Sequence, residues 1–106
     1  MAARPPVTAN LTAAGLTQVI PTPGAGSQLV IQRGSLHHRA GAAVVVGLQA
    51  SGGAPVFTVG LTTVDTAAVF DFGDGWVLPE NTALQANLTA AGDVHINITA
   101  YYYSEA

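Results

Sequence analysis

The sequence predicts an all-β domain: an antiparallel β-sandwich, jelly-roll-like in its spacing, with about seven short strands and an extended N-terminal arm. Three observations predict it. Apolar residues recur with a period of two in stretch after stretch and nowhere with the helical period. Turns containing Gly or Pro separate these stretches at short intervals. The chain, at 106 residues, is long enough for one core and no more.

Residues 1–16 hold few large apolar groups and include Arg4, Pro5 and Pro6. Paired prolines stiffen the backbone and cannot donate to a ladder. We therefore expect 1–16 to be an arm that reaches over an adjacent subunit, and 17–106 to be the sandwich domain.

The strands follow in order. A first is expected at 17–22. Across 27–38, Leu29 and Ile31 share a face, with a bulge at Gly34 before Leu36. Across 42–50, Val44, Val46 and Leu48 oppose Val45, so this strand is apolar on both faces. Phe57, Val59 and Leu61 alternate in 55–61, and Ala68, Phe70 and Phe72 in 67–72, where Asp71 leaves the other side wet. The turn Gly73-Asp74-Gly75 should end that strand. Trp76 follows it, Pro79-Glu80-Asn81 turns again, and Leu84, Ala86 and Leu88 open a new strand. In the last strand, 93–103, Val94, Ile96, Ile98, Ala100 and Tyr102 alternate with His95, Asn97, Thr99, Tyr101 and Tyr103.

Composition excludes several function classes. Charged residues are 8% of the chain, there is no Lys, and the net charge is −3. A groove that tracks phosphates needs clustered cations, so nucleic acid is not an expected partner. Without cysteine there is no disulfide, thiolate zinc site or thiol nucleophile. Residues 40–64 are uncharged, but Gln49, Ser51, Gly52, Gly53 and Pro55 cut them to strand length, too short for a membrane helix. A soluble protein without a cleaved signal is expected. With 49% hydrophobic residues and so little charge, more apolar surface is present than one small core hides, which predicts self-association.

The heptapeptide Ala9-Asn10-Leu11-Thr12-Ala13-Ala14-Gly15 recurs unchanged as Ala86-Asn87-Leu88-Thr89-Ala90-Ala91-Gly92. The copies either occupy equivalent places in two sheets or two subunits, or reflect an Ala- and Thr-rich composition.

No catalytic constellation emerges, and neither an enzyme nor a cofactor is expected. Gly-x-Ser-x-Gly is absent, and the glycines of 24–26 and 73–75 open no helix that could cradle phosphate. Asp71, Asp74 and Glu80 lack the ligand spacing of a calcium loop and read as turn-capping carboxylates. Adjacent strand residues face opposite ways, so His37 and His38 cannot share one ion within a subunit, although a ring of histidines around an oligomer axis is geometrically possible. They read as a polar strand end or an interface contact. Trp76 and the run Tyr101-Tyr102-Tyr103 could offer a sugar platform; Trp beside a turn reads better as a packed anchor. The interface candidates are thus Arg4, Pro5, Pro6, His37, His38, Trp76, Tyr101 and Tyr103.

Val19-Ile20-Pro21, Pro23-Gly24, Leu29-Val30-Ile31, Gly75-Trp76, Leu78-Pro79, Ala83-Leu84, Asn87-Leu88 and the tyrosine-ended last strand together resemble small β-sandwich virion proteins of tailed bacteriophages. The resemblance covers about residues 17–105 and is closest to the capsid decoration, or cement, type. It implies a homotrimer made in the host cytoplasm that binds the major capsid protein on the outside of the head and stabilises it. Related modules in tails and head fibres imply the alternative of a receptor- or carbohydrate-binding domain.

Overall fold

In the computed structural model, which describes residues 4–106, the alternating segments form eight strands and no helix. They are β1 (Val7–Leu11), β2 (Gly15–Ile20), β3 (Ser27–Gly41), β4 (Val44–Ala50), β5 (Pro55–Leu61), β6 (Ala67–Val77), β7 (Leu84–Leu88) and β8 (Gly92–Glu105). Their pairing is nested: β1 with β8, β2 with β7, β3 with β6 and β4 with β5, all antiparallel. This makes one double ribbon, folded at the turn 51–54 between β4 and β5. The ribbon is rolled so that β8 also pairs with β3 and β7 with β4. Two four-stranded sheets result, ordered β1-β8-β3-β6 and β2-β7-β4-β5, which is the jelly-roll form of the sandwich.

The core lies between the sheets, where the inward residues of both alternate and interdigitate. Leu29, Ile31, Leu36, Val94, Ile96 and Ile98 of the first sheet meet Val46, Leu48, Leu61, Leu84, Ala86 and Leu88 of the second, all buried. One open side of the sandwich is closed by a train of rings. Phe57 of β5 lies 5.4 Å from Phe70 of β6, Phe70 lies 5.5 Å from Phe72, and Phe72 meets Trp76 edge-on at 5.6 Å.

The structure departs from the sequence expectation in four places. First, the N-terminal segment is not a free arm through residue 16. From Val7 onward it is an edge strand paired with β8, and Leu11 is fully enclosed. Residues 1–3 lie outside the described residues. Second, Gly73-Asp74-Gly75 does not end a strand. Register with β3 jumps from Arg33↔Asp71 to Ile31↔Trp76, so these residues loop out and β6 resumes beside Ile31. Gly73 and Gly75 take φ of 66° and 131°, values glycine adopts without strain.

Third, the bulge expected at Gly34 falls just before it, where Gln32 is the unpaired residue of β3; Gly34 itself pairs with Phe70 and Ile98. Fourth, Thr99 is left unpaired on β8 opposite the same region. A single extra residue reverses the face of everything after it. Tyr101 and Tyr103 therefore point to the core side, in place of Ala100 and Tyr102. Gln32, Thr99 and residues 72–75 align across three strands, a crease in the sheet.

The two heptapeptide copies occupy equivalent places in the two sheets. Each ends a strand, turns a corner and enters the other sheet: β1 to β2 in the first copy, β7 to β8 in the second. They run side by side, with Gly15 opposite Leu88 and Gly92 N donating to Thr12 O at 3.1 Å. The leucine of each copy, Leu11 or Leu88, is buried.

Candidate functional site

The carboxylates cap turns. Asp71 accepts from Gly73 N at 2.8 Å, and Glu80 accepts from Gly26 N at 2.7 Å, with Asn81 Oδ1 taking Gly24 N beside it at 3.1 Å. The Glu80 and Asn81 bonds tie the loop after β6 to the loop before β3. An open hollow of about 310 Å³ lies at the crease, lined by Arg33, Ser35, Val69, Asp71 and Thr99 around Gly34 and Phe70. It contains no histidine to activate Ser35, and its one carboxylate is the turn-capping Asp71. No nucleophile and base are brought together in it.

The interface candidates separate into distinct places. Arg4, Tyr101 and Tyr103 come together: Arg4 N donates to Tyr101 O at 3.0 Å, and the Arg4 guanidinium lies over the Tyr103 ring, 4.4 Å from its centroid. The rings of Tyr101 and Tyr103 are 6.4 Å apart. Tyr101 is buried, which withdraws it from any surface contact. Pro5 and Pro6 are exposed beside this cluster. Trp76 is half-buried and packs on the core.

His37 and His38 point to opposite faces, as neighbours in a strand must. His37 is exposed on the outer face, with Nε2 3.4 Å from Asp65 Oδ1. His38 is no interface residue: it is fully buried on the inner face, and its Nδ1 lies 3.0 Å from Thr63 O. A carbonyl only accepts, so Nδ1 carries the proton.

The two outer faces of the sandwich differ in kind. The outer face of β1-β8-β3-β6 carries Arg33, His37, Asp71 and His95. None of β2, β7, β4 and β5 contains a charged residue or a histidine. Their outer face presents Leu16 and Val45, 54% and 44% exposed, with Val56 at its margin at 54%. Between them Gln18, Gln85 and Gln49 line up across three strands, next to the row Leu16, Asn87, Gly47 and Thr58. This face is uncharged and carries its exposed apolar residues toward its margins, and it was not among the candidates read from the sequence. Its signal was present there as charge-free stretches, but only the strand order places them in one sheet.

No family model and no curated protein matches the sequence. One solved structure with a similar backbone comes from Bacillus endospore appendages, which form a novel family of disulfide-linked pili. It is 17% identical, covers 92% of this chain and 87% of its own, and superposes with a TM-score of 0.49.

Proposed function

We propose that this chain is a structural virion protein, a capsid decoration protein that binds the outside of a phage head as an oligomer, most simply a trimer, and stabilises it. The observation that carries this reading is the charge-free outer face of β2-β7-β4-β5. Charges keep a surface wet and unpartnered, and their complete absence from four adjacent strands suits burial against protein.

The size of the face argues for a shell. Four strands about 4.8 Å apart and 5–7 residues long span roughly 400 Å². Two such faces in contact would bury about half of a standard interface. One contact of this kind is weak. A subunit held by several neighbours and by the capsid lattice gains from all of them at once, and a ligand of the assembled shell stabilises that shell by mass action.

The glycan-binding alternative loses its aromatic platform, since Trp76 packs on Phe72, Tyr101 is buried and Tyr103 is covered by Arg4, which leaves Tyr102 as a single, half-buried ring on the outer side of β8. Antibody against the chain, applied to tailed-phage particles from cells that make it, should label heads. Labelling confined to tails, or none, would overturn the assignment.

A further inference from the structure

The rolled ribbon sets side by side two imidazoles that the sequence keeps far apart. His37 of β3 and His95 of β8 are direct cross-strand partners on the outer face. Directly opposed residues of an antiparallel pair have Cβ atoms about 4.5–5.5 Å apart, close enough for one nitrogen of each ring to reach a shared ion at about 2.0–2.1 Å.

Of the two rings, that of His95 is held from behind by a hydrogen bond. His95 Nδ1 lies 2.9 Å from Asn10 Oδ1 on β1. An amide oxygen only accepts, so Nδ1 bears the proton and Nε2 keeps a free lone pair. His37 has Asp65 beside it, with Nε2 3.4 Å from Oδ1, a contact between a ring nitrogen and a carboxylate that is too long and bent for a hydrogen bond and leaves Nδ1 open to coordinate. Histidines that bind metals are oriented as His95 is here, by an oxygen that takes the other ring N–H. Both rings reach water, with the His37 side chain 47% exposed and His95 half-buried. The surrounding charges are Asp65 and the pair Arg39–Asp93, 3.9 Å apart, so carboxylates outnumber cations and a metal ion meets no net repulsion.

We infer that His37 and His95 form a two-histidine chelating site for a divalent cation of the late first row: Ni²⁺, Cu²⁺ or Zn²⁺, the ions that imidazole suits. Among the described residues no group of three or more His, Cys, Asp or Glu surrounds one point. The protein therefore supplies two ligands, water completes the shell, and the ion exchanges freely. Mg²⁺ and Ca²⁺, which prefer oxygen, are not ligands for it. His38 takes no part, being enclosed on the other face.

Thermal melting of the whole protein in about 1 mM Ni²⁺ tests the site, because an ion that binds only the folded chain raises its melting temperature. A rise of about 4 °C or more is expected, with none in Mg²⁺ and none in His37→Gln or His95→Gln. The quantity compared is the Ni²⁺-induced change, so a lower baseline in either variant does not obscure it. Substoichiometric Ni²⁺ should also broaden the ring-proton resonances of His37 and His95 in nuclear magnetic resonance spectra, and leave those of His38 sharper. An equal rise in the variants, or no rise and no selective broadening in the wild type, would sink the assignment.

Discussion

The ring of Phe70 fills the space where a side chain on Gly34 would begin. A Cβ there would overlap Phe70 Cζ and stand 2.5 Å from the Asn97 carbonyl oxygen. Neither neighbour can retreat, since Phe70 is wedged against Phe57 and Phe72, and Asn97 O belongs to the backbone of β8. Overpacking of this kind costs about 1–3 kcal/mol. Gly34→Ala should therefore lower the melting temperature by roughly 4–8 °C per kcal/mol. Gly60→Ala, where nothing lies within 4 Å of the new carbon, is the matched control and should change little. Equal melting of the two variants would show that the sheet yields at Gly34.

Trp76 belongs to the ring train that closes the sandwich. Full burial of a Trp is worth about 3–5 kcal/mol against Ala, and a half-buried one about 2 kcal/mol. Trp76→Ala should lower the unfolding free energy by that amount and move the denaturant midpoint down accordingly, detectable in a domain whose total stability is roughly 5–15 kcal/mol. An unchanged midpoint with loss of binding to a glycan array would return the residue to the sugar-platform reading.

Deleting residues 1–15 is a sharper test than the sequence suggested. An extended arm would come away without harm, but the structure places Leu11 in the core and β1 along the edge of β8. The truncated chain should melt lower or aggregate, because removal of a buried Leu alone costs about 2–5 kcal/mol and an uncovered strand edge invites pairing with other chains. Cooperative unfolding at the wild-type temperature would show that β1 adds nothing to the fold.

The uncharged face makes a prediction that separates association from folding. Leu16 and Val45 are exposed on β2 and β4, so Leu16→Lys with Val45→Lys should change stability by less than about 0.5 kcal/mol. Sedimentation should nevertheless show weaker self-association, since each lysine must be desolvated in the contact. Val69→Lys, on the opposite sheet and 80% exposed, should leave association intact. If it disrupts assembly as strongly as the double variant, the contact surface lies elsewhere.

Much of the fold was legible because period-two alternation is a local signal. Val44, Val46 and Leu48, or Val94, Ile96 and Ile98, announce their faces without reference to any other strand. What stayed hidden depends on distant partners. The short stretch Val7–Leu11 has only two large apolar residues, and only its place beside β8 makes it a strand. The bulge at Thr99 has no local signature, so alternation counted from Val94 puts Tyr101 and Tyr103 on the wrong face. The looped-out glycines of β6 look like a terminal turn until Trp76 is seen beside Ile31. Of the interface candidates, Arg4, Tyr101 and Tyr103 proved to be one cluster, while the pairing of His37 with His95 needed the register of β3 and β8.

The nested pairing has a kinetic consequence. Among strands that pair with one another, only β4 and β5 are joined by a short turn; each further pair must wait for a longer segment to return, and Val7 meets Ile98 only when nearly the whole chain has been gathered in. Loop closure of that kind is slow, and domains dominated by distant pairings fold in milliseconds to seconds. Folding should proceed from the middle of the chain outward, with the β4–β5 hairpin early and the β1–β8 seam last. Until that seam closes, the edge of β8 from Val94 to Ile98 stands open to any other strand, so crowding of newly made chains is the moment at which this protein is most exposed to misassembly.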